Sequence, residues 1–505
     1  MTVHDQKTPE TVPGGDPGPG VPKDAGGAAD GGAPRGLVPL LVVSAFVVIL
    51  NETIMGVALP QLMTDLSITA TSAQWLTSAF LLTMAVVIPL TGWILQRFHV
   101  RTVFTFAMTT FSIGTFVAAI APGFEVLLLA RVIQATGTAV MMPLLMTTVM
   151  TLVRPERRGQ MMGTISIVIS VAPAIGPTVS GLILQSLSWR WMFWLVLPIA
   201  LLSLALGQIW VRNVTTPGRP SLDKVSVVLS ALGFAGLIYG LSSIGESAGG
   251  HAPVPPWVPL VIGAAALVAF VLRQLSLRER ALMDLRAFGS TTFAIAVGLV
   301  AVTMMALFGT LILLPIYLQN VLGATTLETG LVLLPGGLVM GLMAPVVGRL
   351  FDRHGPRPLV APGAVVASAA LWAMSTLGEG TALGAVIAIH VVLSIGLALM
   401  FTPLLTSALG SLPQHLYSHG SAIVGTVQQV AGAAGTALFI TVMTTRIASE
   451  TAAGASVVTA TAEGVHAALF WGGVISALAV AVALFVRRPP ATVGDDAATK
   501  APAVH

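Results

Sequence analysis

The chain has 505 residues, of which 55% are hydrophobic and only 9% charged. Soluble domains run near a quarter charged, so this balance belongs to an integral membrane protein. A net charge of +4 spread over many short loops makes no basic patch for nucleic acid, and the lack of cysteine excludes disulfides, thiol catalysis and thiolate metal sites.

Residues 1–36 are rich in Gly, Pro, Ala and Asp and cannot bury a core, so a disordered tail is expected there, and a second one over 487–505. The first tail lacks the basic n-region of a signal peptide, so the first apolar run is expected to stay as a span. Apolar runs long enough to cross a core about 30 Å thick then recur along the whole chain, which points to helices rather than a barrel. Reading them between Gly, Pro and charged residues gives spans over 37–62, 74–95, 102–122, 124–152, 160–186, 190–211, 223–245, 257–275, 291–319, 327–349, 358–377, 382–408, 418–446 and 467–486.

Lys and Arg sort the loops between these spans. Arg35, Arg97, Arg101, Arg154, Arg157, Arg158, Arg212, Arg219, Lys224, Arg273, Arg278, Arg280, Arg286, Arg349, Arg353, Arg357, Arg487 and Arg488 fall on one side; Arg190 and Arg446 fall on the other. Basic loops stay cytoplasmic, which puts both termini inside and requires an even number of spans.

An internal repeat follows. Gly92-Trp-Ile-Leu-Gln96-Arg97-Phe-His99-Val-Arg101 closes the second span, and Gly348-Arg-Leu-Phe-Asp352-Arg353-His-Gly355-Pro-Arg357 closes the tenth. Duplicated halves are characteristic of secondary transporters, although two independent basic anchors would also place arginines here. With these loops the chain resembles the major facilitator superfamily, and within it the fourteen-span drug:proton antiporters. The second copy is close to that superfamily's loop signature; the first has Gln96 in place of the acid and His99 in place of a glycine. Leu50 to Pro60 and Gln74-Trp75-Leu76-Thr77 are similar to the branch associated with lincosamide and multidrug efflux. The resemblance implies an all-α integral membrane fold. It has an N-terminal six-helix half over 37–213, two extra helices with a linker over 214–290, and a C-terminal six-helix half over 291–486. It also implies that the repeated loops, through Gly92, Arg97, Arg101, Gly348, Asp352, Arg353, Gly355 and Arg357, clamp the cytoplasmic gate.

Almost every charge lies outside the apolar runs. Glu52 and Arg131 are the clear exceptions. An ionisable residue in hydrocarbon is costly unless it is paired or faces a cavity, so it usually marks an ion or substrate path. Arg131 lies about seven residues, roughly 10 Å, from the outer end of its span, and Glu52 about fifteen residues, roughly 22 Å, from the inner end of the first. The two depths nearly coincide, so the groups can meet if these spans are neighbours. They then form either a proton-coupling pair or a fixed structural ion pair. Arg131 and Gln134 also fit the resemblance, which implicates that arginine in proton coupling, while related antiporters more often carry the acid at the position of Asn51.

Gly176, Pro177 and Gly181 resemble the signature that tracks export in this family; a merely tight helix contact is the alternative account of the same residues. In the later spans, His390 is either a titrating group or a packing residue. Gln428 and Gln429 cannot both face lipid cheaply and are candidates, with Asn51 and Gln134, for the substrate cavity. His415 and His419 flank a loop and read as solvated.

No phosphate-binding loop, paired membrane carboxylates or H-E-x-x-H motif is present, so neither an enzyme nor a primary pump is expected, and no cofactor or metal. The expected activity is proton-coupled export of small amphiphilic substrates by a monomer in the plasma membrane. A metabolite carrier on the same scaffold, or a membrane sensor, is the alternative.

Overall fold

The computed structural model describes residues 36–486, apart from 69, 212, 214–216, 219 and 249–253. The two expected disordered tails lie outside the described residues except for Gly36, as do Arg35, Arg212, Arg219, Arg487 and Arg488. Fourteen described helices are long and apolar enough to cross a membrane. In chain order these are α1 (Leu37–Asp65), α2 (Ala70–Arg97), α3 (Val100–Ala119), α4 (Phe124–Leu152), α5 (Arg158–Ser186), α6 (Arg190–Trp210) and α7 (Lys224–Ala248). They continue with α8 (Trp257–Leu277), α9 (Thr291–Asn320), α10 (Thr326–His354), α11 (Arg357–Met374), α12 (Leu383–Gly410), α13 (Tyr417–Ala452) and α14 (Val457–Ala483). No strand occurs among the described residues. Helices satisfy their backbone groups within one segment, which is what a hydrocarbon environment demands.

Helices α1 to α6 pack on one another, and α9 to α14 do the same. The two groups meet along two seams. In one, α5 lies against α10 and α12; in the other, α13 lies against α2 and α4. The inserted hairpin of α7 and α8 sits beside the second seam, with α7 touching both α2 and α13. Large apolar side chains such as Leu202, Ile209, Leu272, Leu342 and Leu478 remain exposed, as expected of surfaces that lipid covers.

Polar contacts fasten the hairpin outside the spans. Asp223 accepts two hydrogen bonds from Arg273, at 2.6 and 2.9 Å. Those bonds hold its carboxyl well below the usual carboxylate range. Gln274 is buried: its Oε1 accepts from the Leu282 and Met283 amides at 2.7 and 3.3 Å, and its Nε2 donates to Ser226 Oγ at 2.7 Å. Burial of Asp284 would push its carboxyl up, but hydrogen bonds from Arg286 outweigh it and hold it down. The linker from α8 to α9 is therefore an ordered strut.

Two expected boundaries need correction. α13 continues to Ala452 instead of stopping near 446, and α14 starts at Val457 instead of near 467. A charged residue ends an apolar run, but a helix can outlast the hydrocarbon when its polar groups are satisfied locally. Arg446 pairs with Glu450 one turn on, at 2.8 Å, and Ser456 caps α14 by accepting from the Thr459 amide at 3.1 Å.

Candidate functional site

Arg131 is fully buried on α4, and its surroundings account for most of its donors. Nη1 donates to Gln134 Oε1 at 3.1 Å, Nε donates to the Leu76 carbonyl of α2 at 3.4 Å, and the guanidinium lies 4.1 Å from the centre of the Phe80 ring. Gln134 in turn donates to Thr115 Oγ1 of α3 at 2.9 Å. The backbone of α3 comes close at Gly114, where an added Cβ would fall 2.6 Å from the Gln134 amide nitrogen. One donor nitrogen, Nη2, has no partner in the protein.

Glu52 is half-buried on α1, which packs directly on α4. It is near enough to Arg131 for the two charges to interact, yet Arg131 forms no ion pair among the described residues. The neighbouring Asn51 is fully buried with both amide atoms unpartnered. A carboxyl and a free guanidinium nitrogen thus lie within reach of each other where α1 packs on α4, and an unsatisfied amide sits one residue along α1. Such an arrangement can bind a proton or a polar substrate group, and a fully satisfied structural ion pair would leave none of these donors free.

The other candidates are placed as follows. Gly176 meets α1 closely: a Cβ there would collide with Thr53, whose hydroxyl lies 3.4 Å from the Ala172 carbonyl. Gly181 has open space beside it, so no close helix approach occurs at that position. The side chains of Pro177 and Gln74 lie outside those described. Gln134 is fully buried and offers no surface to a substrate in this conformation; its contacts make it a support for Arg131. Gln429 donates to Met84 Sδ of α2 at 3.5 Å, and Gln428 is half-buried with its Nε2 unpartnered. His390 is 6% exposed and packs against the α10 backbone at Gly336, with Nδ1 unpartnered.

The repeated loops differ sharply. Asp352 accepts from the backbone amides of Gly159 and Gln160, at 2.7 and 2.9 Å, in the first turn of α5. Those amides have no intrahelical acceptor, so a carboxylate is the natural cap for them. Gly348 packs on the Gly159 carbonyl, where a side chain would not fit, and Gly355 ends α10 at φ 80°. Arg353 and Arg357 are exposed. In the first copy, Gln96 Nε2 lies 2.8 Å from His419 Nε2 and 3.5 Å from the His415 carbonyl. Arg101 donates to the Gln208 carbonyl of α6 at 2.7 Å, and Arg97 is exposed. His415 is exposed as expected, but His419 is only 5% exposed, against the expectation of a solvated residue. Gly92 opens the space that its ring fills.

Two groups of six helices, an inserted pair and a loop motif repeated at the end of α2 and α10 define the architecture. Residues 41–436 match the Major Facilitator Superfamily. The chain belongs to that family. A major facilitator relative, the lincomycin resistance protein LmrB of Listeria monocytogenes, is 40% identical over 460 residues, covering 90% of this chain and 97% of its own. The Bacillus subtilis protein of the same name is 39% identical over 403 residues, covering 80% and 84%. Among solved major facilitator structures, the human organic anion transporter MFSD10 superposes with a TM-score of 0.64 at 15% identity, covering 89% of this chain and 99% of that one.

Proposed function

We propose that this chain is a proton-driven exporter of amphiphilic drugs or antibiotics. It acts as a monomer without cofactors in the plasma membrane, with the basic-loop end and both termini in the cytoplasm. The observation that carries the reading is the pair of charges at mid-depth: Glu52 half-buried and Arg131 within electrostatic reach but unpaired. Approach of Arg131 favours the Glu52 carboxylate, and its retreat into the Gln134 and Phe80 contacts favours the neutral acid. Proton uptake from outside and release inside would then accompany each export step. The lincomycin resistance proteins among the relatives support an antibiotic as substrate.

One acid in the pathway favours neutral or monocationic amphiphiles, because a dication would leave one charge uncompensated in a low-dielectric site. The deciding test is drug susceptibility of an efflux-deficient bacterial host expressing the wild type or Glu52→Gln at matched membrane levels, with and without an uncoupler. Resistance should disappear with Glu52→Gln and with the uncoupler. Resistance that survives Glu52→Gln would reduce Glu52 to a structural role.

A further inference from the structure

Helices α5 and α13 occupy equivalent places in the two halves, and each closes one seam at the basic-loop end. Their hydroxyl contacts correspond: Thr402 of α12 donates to Ser166 of α5 at 2.8 Å, and Thr147 of α4 donates to Ser421 of α13 at 3.1 Å. Everything else about the seams is unequal. The α5 seam carries the Asp352 carboxylate on two free amides of a helix N-terminus, bonds that are charge-assisted and about twice as strong as neutral ones. Its backbones meet at Gly348 against Gly159 and again at Gly163 against Ala344. The α13 seam has the neutral amide of Gln96 in the carboxylate's place, and it reaches a histidine ring rather than free amides.

The inserted hairpin adds to the asymmetry. The chain leading into α7 is tied to α2, with Trp93 Nε1 donating to the Pro220 carbonyl at 3.1 Å and the Gly218 amide donating to the Gln96 carbonyl at 2.8 Å. Tyr239 of α7 also stacks on Trp75 of α2, ring centres 5.8 Å apart. α7 also lies along α13. Arg158 of α5 does donate to the Tyr417 hydroxyl of α13 at 3.2 Å, which is one neutral-acceptor bond between the seams.

We infer that the gate opens asymmetrically: the α13 seam parts, with α7 travelling on α2, while the α5 seam stays closed as the hinge. The opening so formed at the basic-loop end lies between α2 and α13, beside α7. An amphiphile held in the adjoining leaflet would enter there. Only the transport readout below rests on the export proposed above.

The chain contains no cysteine, so paired cysteines can be placed without a background. Thr147→Cys with Ser421→Cys spans the α13 seam, and Thr402→Cys with Ser166→Cys spans the α5 seam. Oxidation of the first pair should abolish drug efflux and reduction should restore it, whereas the oxidised second pair should keep most of its efflux. Equal loss from both pairs, or loss from the second alone, would overturn the inference. A second measurement needs no transport. Spin labels at Arg97→Cys and His415→Cys, or at Arg353→Cys and Arg157→Cys, all exposed positions, report each seam in nanodiscs across acidic and alkaline buffers. A longer second distance is expected for the first pair only. Lengthening of both, of the second alone or of neither would contradict it.

Discussion

Single polar side chains have distinct consequences at the spans and outside them. Gln134 satisfies both Arg131 Nη1 and Thr115 Oγ1. Replacing it with alanine strands a buried charged donor, which costs about 1–3 kcal/mol, while Thr115 keeps its own bond to the Phe111 carbonyl. Gln134→Ala is therefore expected to lower the unfolding temperature of the detergent-solubilised protein as well as efflux; unchanged unfolding would mean that water replaces the amide without loss. Asp223 allows a cleaner pH test, because it lies outside the spans. Its carboxyl is held below the ordinary value by Arg273, so its stabilising contribution is present above that value and lost as pH falls through the lowered one. Asp223→Asn removes this acid-side term. The variant should be less stable than wild type near neutrality, with the gap closing in strong acid, as read by thermal unfolding across pH.

Among the elements, the seam between α5 and α10 depends on small residues that let Asp352 reach the start of α5. A leucine at Gly348 would meet the Gly159 carbonyl, so the two helices would have to separate. Gly348→Leu is expected to abolish efflux even where the protein reaches the membrane at normal levels, because Asp352 could no longer reach the amides of Gly159 and Gln160. The extension of α13 is a contrasting case. Arg446 forms an i,i+4 pair with Glu450 and a longer contact, 3.7 Å, with Glu463 of α14, and surface pairs of this kind together contribute about 1 kcal/mol at most. Arg446→Ala should leave efflux intact and change stability by no more than that; a large loss of resistance would mean that this loop takes part in transport.

Across the whole molecule, the proposed cycle ties substrate charge to the number of acids in the path. Among the described residues of α1 to α6, Glu52 and Arg131 are the charged groups away from the helix ends. Resistance profiles should therefore favour neutral compounds and monocations over dications of matched hydrophobicity. Dications extruded as well as monocations would require a second acid elsewhere in the pathway. The fold's two seams, one glycine-tight and one side-chain-mediated, are also a property of the assembled halves rather than of either alone.

The fourteen spans and the presence of one buried acid and one buried base were legible from residue order alone. Hydropathy and the avoidance of charge in hydrocarbon act on each helix separately, so they leave a local record. The repeated loops were legible for a similar reason, since both copies sit at helix ends where arginine is needed. Contacts between helices leave no such record. Whether Gln134 faces a cavity or supports Arg131 depends on α3 presenting Thr115 to it. Whether Gly181 is a contact or an open position depends on what lies across from it. His419 looked solvated beside a loop, and it became buried only because α2 brings Gly92 and Gln96 against it from the other half of the chain. Sequence by itself thus determined which segments cross the membrane and which charges they carry. Tertiary structure decided what each polar side chain faces, because that is set by the docking of helices far apart in the chain.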